Sequence, residues 1–155
     1  MEKRVEDSMV EQTHLLMNYD INGAGRLFGG KLLQWIDETA GIVAKRHSGR
    51  NMTTVAIDNL QFKAGAYLND TVVIIGRLTY VGRTSMEIRV DSYVEGFDGV
   101  RKPINRAYLT LVALDENDNP VEVPRLVLET EAQKAEWEGA KKRLEYRKLR
   151  REEGF

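Results

Sequence analysis

The chain reads as an α+β protein in which one central helix lies against a curved antiparallel sheet and a polar helix follows. Three observations predict this. A single apolar helical pattern runs over residues 29–47, and long strand patterns come after it without intervening helices. Residues 129–153 are then charged and helix-favouring. Helices set apart from the strands, rather than alternating with them, give an α+β order and not a parallel βαβ sheet. The expectation is one domain over residues 1–155, with 129–153 a C-terminal helix.

Each element has its own signal. Residues 9–17 form a first strand or an extended arm. Residues 18–28 are a loop, with Asp20, Asn22, Gly23 and Gly25 as turn formers. In the helix that follows, Leu33, Ile36, Ala40, Val43 and Ala44 share one face at about 100° per residue. It ends near Ser48, where Gly49 supplies a left-handed cap. Residues 53–62 alternate through Val55, Ile57, Leu60 and Phe62, and the slip around Asp58 and Asn59 reads as a bulge.

Residues 70–81, 84–94 and 105–114 are long strands rich in Val, Ile, Leu, Thr and Tyr. Gly82 and Arg83 form a tight turn, residues 96–99 a looser hairpin, and residues 115–120 a strong turn. Pro120 and Pro124 bracket a short extended piece. In the final helix acids precede bases, which suits the helix dipole. Its apolar positions (Ala135, Trp137, Ala140, Leu144, Leu149) are sparse, so it lies on the surface or against a partner subunit. One apolar helix covers little of such a sheet, and exposed strand edges invite pairing. Oligomerisation follows.

Composition excludes several classes of function. The 155 residues are 42% hydrophobic and 30% charged, the balance of a globular protein. A net charge of −1 makes no claim on nucleic acid. There is no cysteine, hence no disulfide, thiolate nucleophile or thiolate metal site. The charged first residues lead into no apolar run, and nothing approaches the roughly 20 apolar residues of a membrane span. A cytoplasmic protein without nucleic-acid or membrane partners is expected, and no metal-ligand spacing occurs.

The most informative chemistry lies between Asn22 and Asp37. Asp37 falls among the apolar positions of the helix, on its predicted buried side, while Glu38 points away with Lys31, Gln34 and Lys45. A buried carboxylate without a partner costs several kcal/mol or acquires a raised pKa. Asp37 therefore pairs with a polar group inside the fold or serves chemistry.

Residues 25–31 match G-x-x-x-x-G-K, but Leu32 stands where a phosphate loop places Ser or Thr, and no buried strand precedes. What survives is a helix start at Gly29 and Gly30 whose free amides can stabilise an oxygen carrying developing negative charge. His47, in the last helical turn, suits a cation at the dipole's negative end. His14 says little. No G-x-S-x-G accompanies either histidine. Gly82-Arg83-Thr84-Ser85 is a good hairpin turn and also a phosphate-holding set of one cation, two hydroxyls and turn amides.

Taken together these residues resemble the hot-dog-fold acyl-CoA thioesterases, the group of bacterial short- and medium-chain and brain-type acyl-CoA hydrolases. The pieces are Asn22, Gly25, Phe28-Gly-Gly and Trp35-Ile-Asp-Glu-Thr-Ala-Gly41, then Arg46-His47 and Thr54-Val-Ala-Ile-Asp58. Phe62, Gly82-Arg-Thr-Ser-Met-Glu87, Val112-Ala-Leu-Asp115 and Val123-Pro-Arg-Leu-Val127 follow in order. The resemblance implies a hot-dog fold and hydrolysis of acyl-CoA to free acid and CoA without a cofactor. It implies a homodimer, often within a hexamer, with active sites at the subunit interface.

On that analogy Asp37 is general base or nucleophile and faces Asn22 of the other subunit, while the Gly30 N–H polarises the carbonyl. Arg83, Thr84 and Ser85 resemble the coenzyme A contact motif, with Arg101 a further candidate. The alternatives are a hot-dog protein that binds acyl-CoA without turnover, and a hydratase, which wants a histidine near Phe28. Phe28 departs from the family's usual His, and Ala64-Gly-Ala and Asn69-Asp70 replace a usual Pro and Gly-Asp.

Overall fold

The inner stripe of the first helix decides the architecture, because it alone carries enough contiguous apolar surface to be wrapped. The structure, a computed structural model, describes residues 1–58 and 60–155. In chain order it comprises β1 (Glu2–Arg4), a 3₁₀ turn (Val5–Asp7), β2 (Val10–Leu15), a second 3₁₀ turn (Asn18–Asp20) and α1 (Gly29–Ser48). Then come β3 (Asn51–Asp58), β4 (Thr71–Val81), β5 (Ser85–Glu95), β6 (Arg101–Leu114), β7 (Arg125–Val127) and α2 (Glu131–Glu153).

The five long strands form one antiparallel sheet in the order β2-β4-β5-β6-β3, curved around α1. This is the hot-dog arrangement. Leu32, Trp35, Ile36, Ala40, Val43 and Ala44 of α1 share one core with Ile74 and Leu78 of β4, Met86 and Ile88 of β5, and Leu109 and Leu111 of β6. Gly49 ends α1 at φ 67°, and its amide bonds the Lys45 carbonyl at 2.9 Å. The Gly82–Arg83 turn is closed by Gly82 N–H donating to the Ser85 carbonyl at 2.9 Å.

Two expectations about α1 are corrected. Asp37 is exposed in the single chain. The buried stripe runs Leu32, Trp35, Ile36, Thr39, Ala40, Val43, Ala44, His47, so Leu33 and Asp37 sit on its rim. His47 is fully buried and is not a solvated cation at the helix end. Its Nε2 lies 2.7 Å from the Pro124 carbonyl, and burial pushes its pKa down. The cation at that helix end is Lys3, whose Nζ donates to the carbonyls of Arg46 (3.1 Å) and His47 (2.9 Å). Lys3 is brought there by β1, which pairs in parallel with β7 and carries no sequence signal at three residues.

The bulge in β3 lies between Thr54 and Ala56, earlier than the slip read around Asp58. The part of that expectation resting on Asn59 lies outside the described residues. By inserting Val55 the bulge keeps both Thr54, opposite Leu111, and Ile57, opposite Leu109, on the inner face.

Helix α2 lies across the outer face of its own sheet, starting from a Thr130 hydroxyl that accepts from the Gln133 amide at 3.1 Å. Only Ala140 is buried, and the Trp137 ring meets Tyr80 at 4.3 Å between centroids. Charges hold the rest. Arg143 forks onto buried Glu87 (2.8 and 3.0 Å), Arg147 reaches Asp58 at 2.7 Å, and Glu136 receives Arg89 at 3.0 Å. No helix among the described residues is long and apolar enough to cross a membrane.

Candidate active site

The exposed rim of α1 faces β3 across a groove of about 750 Å³, lined by Gln12, Asp37, Glu38, Gly41, Ile42, Lys45, Met52, Thr53 and Thr54. Because β3 pairs only with β6, the groove opens along a free edge of the sheet. Thr54 Oγ1 donates to Asp37 Oδ1 at 2.7 Å. Among the described residues no other donor meets this carboxylate, which leaves Oδ2 able to accept a proton from a bound water. The hydroxyl fixes the rotation of the carboxylate of a residue that lines the groove.

Thr54 was not among the expected site residues. The chain itself held one usable signal, a Thr-Thr pair in the strand directly after the helix that carries Asp37. What hid it was the bulge, since a regular period from Ile57 would put Thr54 on the outer face.

The other two expected catalytic groups stand at the opposite end of α1. Asn22 folds its side chain into its own turn, where Oδ1 accepts from the amides of Ala24 (2.9 Å) and Arg26 (3.2 Å). Its Nδ2 has no acceptor among the described residues and remains a donor. Asn22 lines a second cavity, of about 330 Å³, with Leu27, Leu32, Phe62 and Ile104 among its walls.

Gly30 lies in the first turn of the helix, second after Gly29. The preceding Phe28 offers no side-chain cap, and no acceptor among the described residues meets the amides of Gly29 or Gly30. The Phe28 ring covers Gly30 so closely that a Cβ there would lie 3.0 Å from it. Seven residues of helix put Gly30 about 10 Å from Asp37 along the axis. Within one chain, then, Asn22 and Asp37 line separate cavities.

The turn residues are only partly united. Arg83 is exposed and loosely paired with Glu122 at 3.7 Å, while its carbonyl accepts from the Val123 amide at 3.0 Å. Thr84 carbonyl accepts from the Ala113 amide at 3.1 Å, and Ser85 starts β5. Arg101 lies opposite Glu95, at the far end of the β5–β6 ladder from the Ser85–Val112 pair. Ten residues of strand separate the two ends by roughly 33 Å. Arg101 is also held by Glu11 (3.1 Å) and Glu95 (3.0 Å). One chain does not bring Arg101 together with Arg83.

The departures from the family pattern have local explanations. Asn69 adopts φ 69°, the left-handed conformation that a glycine would take there. Asp70 still turns its carboxylate onto the Tyr67 amide at 2.8 Å. Among the described residues no group of three or more His, Cys, Asp or Glu is placed to hold a metal.

A sequence model of the thioesterase superfamily matches residues 24–96, from the Asn22 turn through β5. An uncharacterized acyl-CoA thioester hydrolase of Bacillus subtilis is 39% identical over 127 residues, covering 81% of this chain and 74% of that protein. This chain belongs to the acyl-CoA thioester hydrolase family. A crystal structure of an apo hexameric acyl-CoA thioesterase superposes with TM-score 0.92 at 38% identity, over 96% of both chains.

An acyl-CoA hydrolase of Staphylococcus aureus, solved with butyryl coenzyme A, coenzyme A and coenzyme A disulfide, superposes at 0.93 with 30% identity, over 99% of this chain and 94% of that one. That hydrolase has also been solved with single alanine replacements of an Asn, an Asp and a Thr. Those three positions are spaced by 15 and 17 residues, the spacing of Asn22, Asp37 and Thr54 here.

Proposed function

We propose that this family member hydrolyses acyl-CoA to a free carboxylic acid and CoA, with Asp37 as general base or nucleophile. The observation that carries this reading is the Asp37 carboxylate held at 2.7 Å by Thr54 in an open groove whose lining includes Ile42 and Met52. The Asn–Asp–Thr spacing shared with the Staphylococcus aureus hydrolase supports it.

In the general-base form, Asp37 Oδ2 takes a proton from water while the water oxygen bonds to the thioester carbon. The carbonyl electron pair moves to oxygen, where the N–H of the partner subunit's Gly30, at the positive end of that helix, stabilises it. Gly30 of the same chain lies about 10 Å from Asp37 along α1. Collapse breaks the C–S bond, and the leaving thiolate recovers the proton. In the nucleophilic form a carboxylate oxygen attacks first, and water then opens the mixed anhydride. Single turnover in H₂¹⁸O separates them, since water attacking the Asp37 carbonyl leaves label on the enzyme.

The assembly proposed is a homodimer at minimum and a trimer of dimers in full. The separate cavities of Asn22 and Asp37, the free edge of β3 and the hexameric relative support it. In such a dimer the partner subunit's Asn22 faces Asp37, its Nδ2 donating to the attacking water or the thioester oxygen. Arg83, Thr84 and Ser85 bind the phosphates of CoA.

Asp37→Ala is expected to reduce acyl-CoA turnover by about 10²-fold or more, the scale of a lost acid–base group. Because Asp37 lies outside the buried stripe of α1, the core should stay intact and the melting temperature should move little. Thr54→Val should cost about ten-fold, the loss of one orienting hydrogen bond. Mixing Asp37→Ala with Asn22→Ala chains should restore part of the activity. Unchanged turnover in Asp37→Ala, followed by thiol release over a panel of acyl lengths, would sink the mechanism. Tight acyl-CoA binding without turnover in the unsubstituted protein would identify a binding protein instead.

A further inference from the structure

Gly41 stands buried in the middle of α1, where glycine is a poor choice. It is destabilising there relative to alanine, because it loses the most backbone freedom on folding. An isolated glycine inside a helix therefore has a packing or a functional reason. Close approach of another backbone is not that reason, since none comes within 4 Å of the missing Cβ among the described residues. The atom a Cβ would meet is Met52 Cε, at 2.8 Å, the far end of a flexible side chain.

Position supplies a functional reason. Asp37 and Gly41 are one turn apart on α1, about 6 Å along the axis. On β3, Thr54 and Met52 oppose Leu111 and Ala113 and share the inner face, and two residues of strand span about 6.6 Å. Helix and strand are thus matched rung by rung: Thr54 bonds Asp37 at 2.7 Å, and Met52 rests over Gly41. All four residues line the Asp37 groove. The α1 residues that follow Asp37 in its lining are Glu38, Gly41, Ile42 and Lys45, so the groove runs toward the C-terminal end of α1. At Lys45 it meets a second cavity, of about 620 Å³, with Arg50, Asn51, Asp115 and Glu116 among its walls.

Such a passage suits an occupant that is fixed at one end and variable in length. Gly41, Ile42 and Met52 offer no side-chain partner to the amides of a pantetheine arm, whereas methionine repacks readily around apolar groups of different size. We propose that Gly41 and Met52 set the acyl-chain length this protein accepts. The bare helix at Gly41 seats the chain, and Met52 swings aside as the chain lengthens. An extended chain advances about 1.2 Å per bond, so the roughly 6 Å between the two rungs takes about five bonds and ends near the sixth carbon. Past Met52 the walls are charged, and further methylenes leave water without gaining an apolar partner. The assignment rests on the hydrolase reading above, and neither residue takes part in bond making.

The test is the ratio of kcat/KM for octanoyl-CoA to that for acetyl-CoA, since an acetyl group ends before Gly41 and an octanoyl chain passes Met52. Met52→Ala should raise the ratio about ten-fold, the scale of a methylene or two in a pocket. Gly41→Ala, whose methyl drives the Met52 thioether into the groove, should lower it by about the same factor. The double replacement should bring the ratio back toward that of the unsubstituted protein, because the methyl then meets no thioether. Met52→Leu conserves volume but is stiffer, so it guards against loss of folding and should lower the ratio a few-fold. S-octyl-CoA, a thioether that cannot be hydrolysed, should follow the same order in calorimetry, with S-ethyl-CoA unmoved.

An unchanged ratio in both single alanine variants would overturn the assignment while leaving the hydrolase reading standing. An equal loss for both substrates would put the constant arm of the substrate at Gly41 and overturn it as well. Dissociation of the Gly41→Ala protein in sedimentation, with its ratio unchanged, would give the glycine to a subunit contact and reject the acyl seat. The expected order of S-octyl-CoA affinities in a protein that cleaves neither thioester would keep the seat and remove the hydrolase.

Discussion

On the inner face of the sheet α1 buries Ile36, Ala40, Val43 and Ala44 completely, whereas on the outer face α2 buries only Ala140. The inner contact is apolar and broad. The outer one is a lattice of ions in which Glu87 and Asp91, each 2% exposed, are met by Arg89, Arg106 and Arg143. Burial of area drives the first and is indifferent to small shifts of register. Paired charges add little net energy, because desolvation offsets attraction, but they penalise every arrangement that leaves one carboxylate alone. The inner layer thus makes the fold stable, and the outer layer says where the second helix must lie. The proposed chemistry sits on neither. It occupies the rim of α1, where a side chain can be replaced without opening the core.

The contrast is broken most severely from inside. Ile36→Ala should cost about 4 kcal/mol, since the side chain is fully buried and the wrapped helix cannot collapse into the space. Urea denaturation reads this as a lower midpoint at constant slope. A loss below about 1 kcal/mol would mean that α1 is not the centre of the core.

On the outer face Arg143→Leu should cost about 3 kcal/mol, by taking the forked guanidinium from buried Glu87 and leaving it the Thr79 hydroxyl at 2.6 Å and the more distant Arg147 at 3.7 Å. The sharper measurement is the double replacement of Glu87 and Arg143 by leucine. Paired-charge logic expects it to recover most of the loss, whereas additive packing losses would make it worse than either single change.

The same contrast explains what could be read from the residues beforehand. The α1 pattern, the hairpin turns at Gly82 and Gly96, and the long strands were all visible, because periodicity and turn chemistry are local. Asp37 was misplaced by one helical position. Leu33 and Ile36 define the apolar face equally well with Leu32 and Trp35 left out, and only the sheet decides which edge of a broad stripe faces inward. Thr54 was hidden by a bulge that reverses parity.

The packing of α2 was hidden for a different reason. Its partners Asp58, Glu87 and Arg89 occupy outward-facing strand positions that normally meet water, so nothing local distinguishes a solvated row of charges from a clamped one. The joint role of Asn22 and Asp37 lies beyond any single chain's geometry, since the two line different cavities.

The smallest effect probes the one ionisable side chain on the buried stripe of α1. His47 is neutral when folded. The Pro124 carbonyl can only accept, so Nε2 carries the proton, and Nδ1 is buried without a partner among the described residues. Protonating Nδ1 would place a charge in the core with no acceptor, and burial accordingly lowers the folded pKa from 6.5, with Lys3 and Arg125 nearby adding to the effect. The Pro124 bond and Asp7 oppose it without reversing it.

A lowered histidine pKa means that the unfolded chain binds more protons below its own pKa. Stability is therefore full above about pH 6.5 and declines as pH falls through 6.5 toward the folded pKa. Half-buried His14, stacked on Trp35 at 4.0 Å, is shifted in the same direction by burial. His47→Gln keeps a donor for Pro124 and removes the titration. It should flatten the fall in melting temperature between pH 7 and pH 5.5 more than His14→Gln does. An undiminished fall in His47→Gln would remove the buried stripe of α1 as the source of the acid sensitivity.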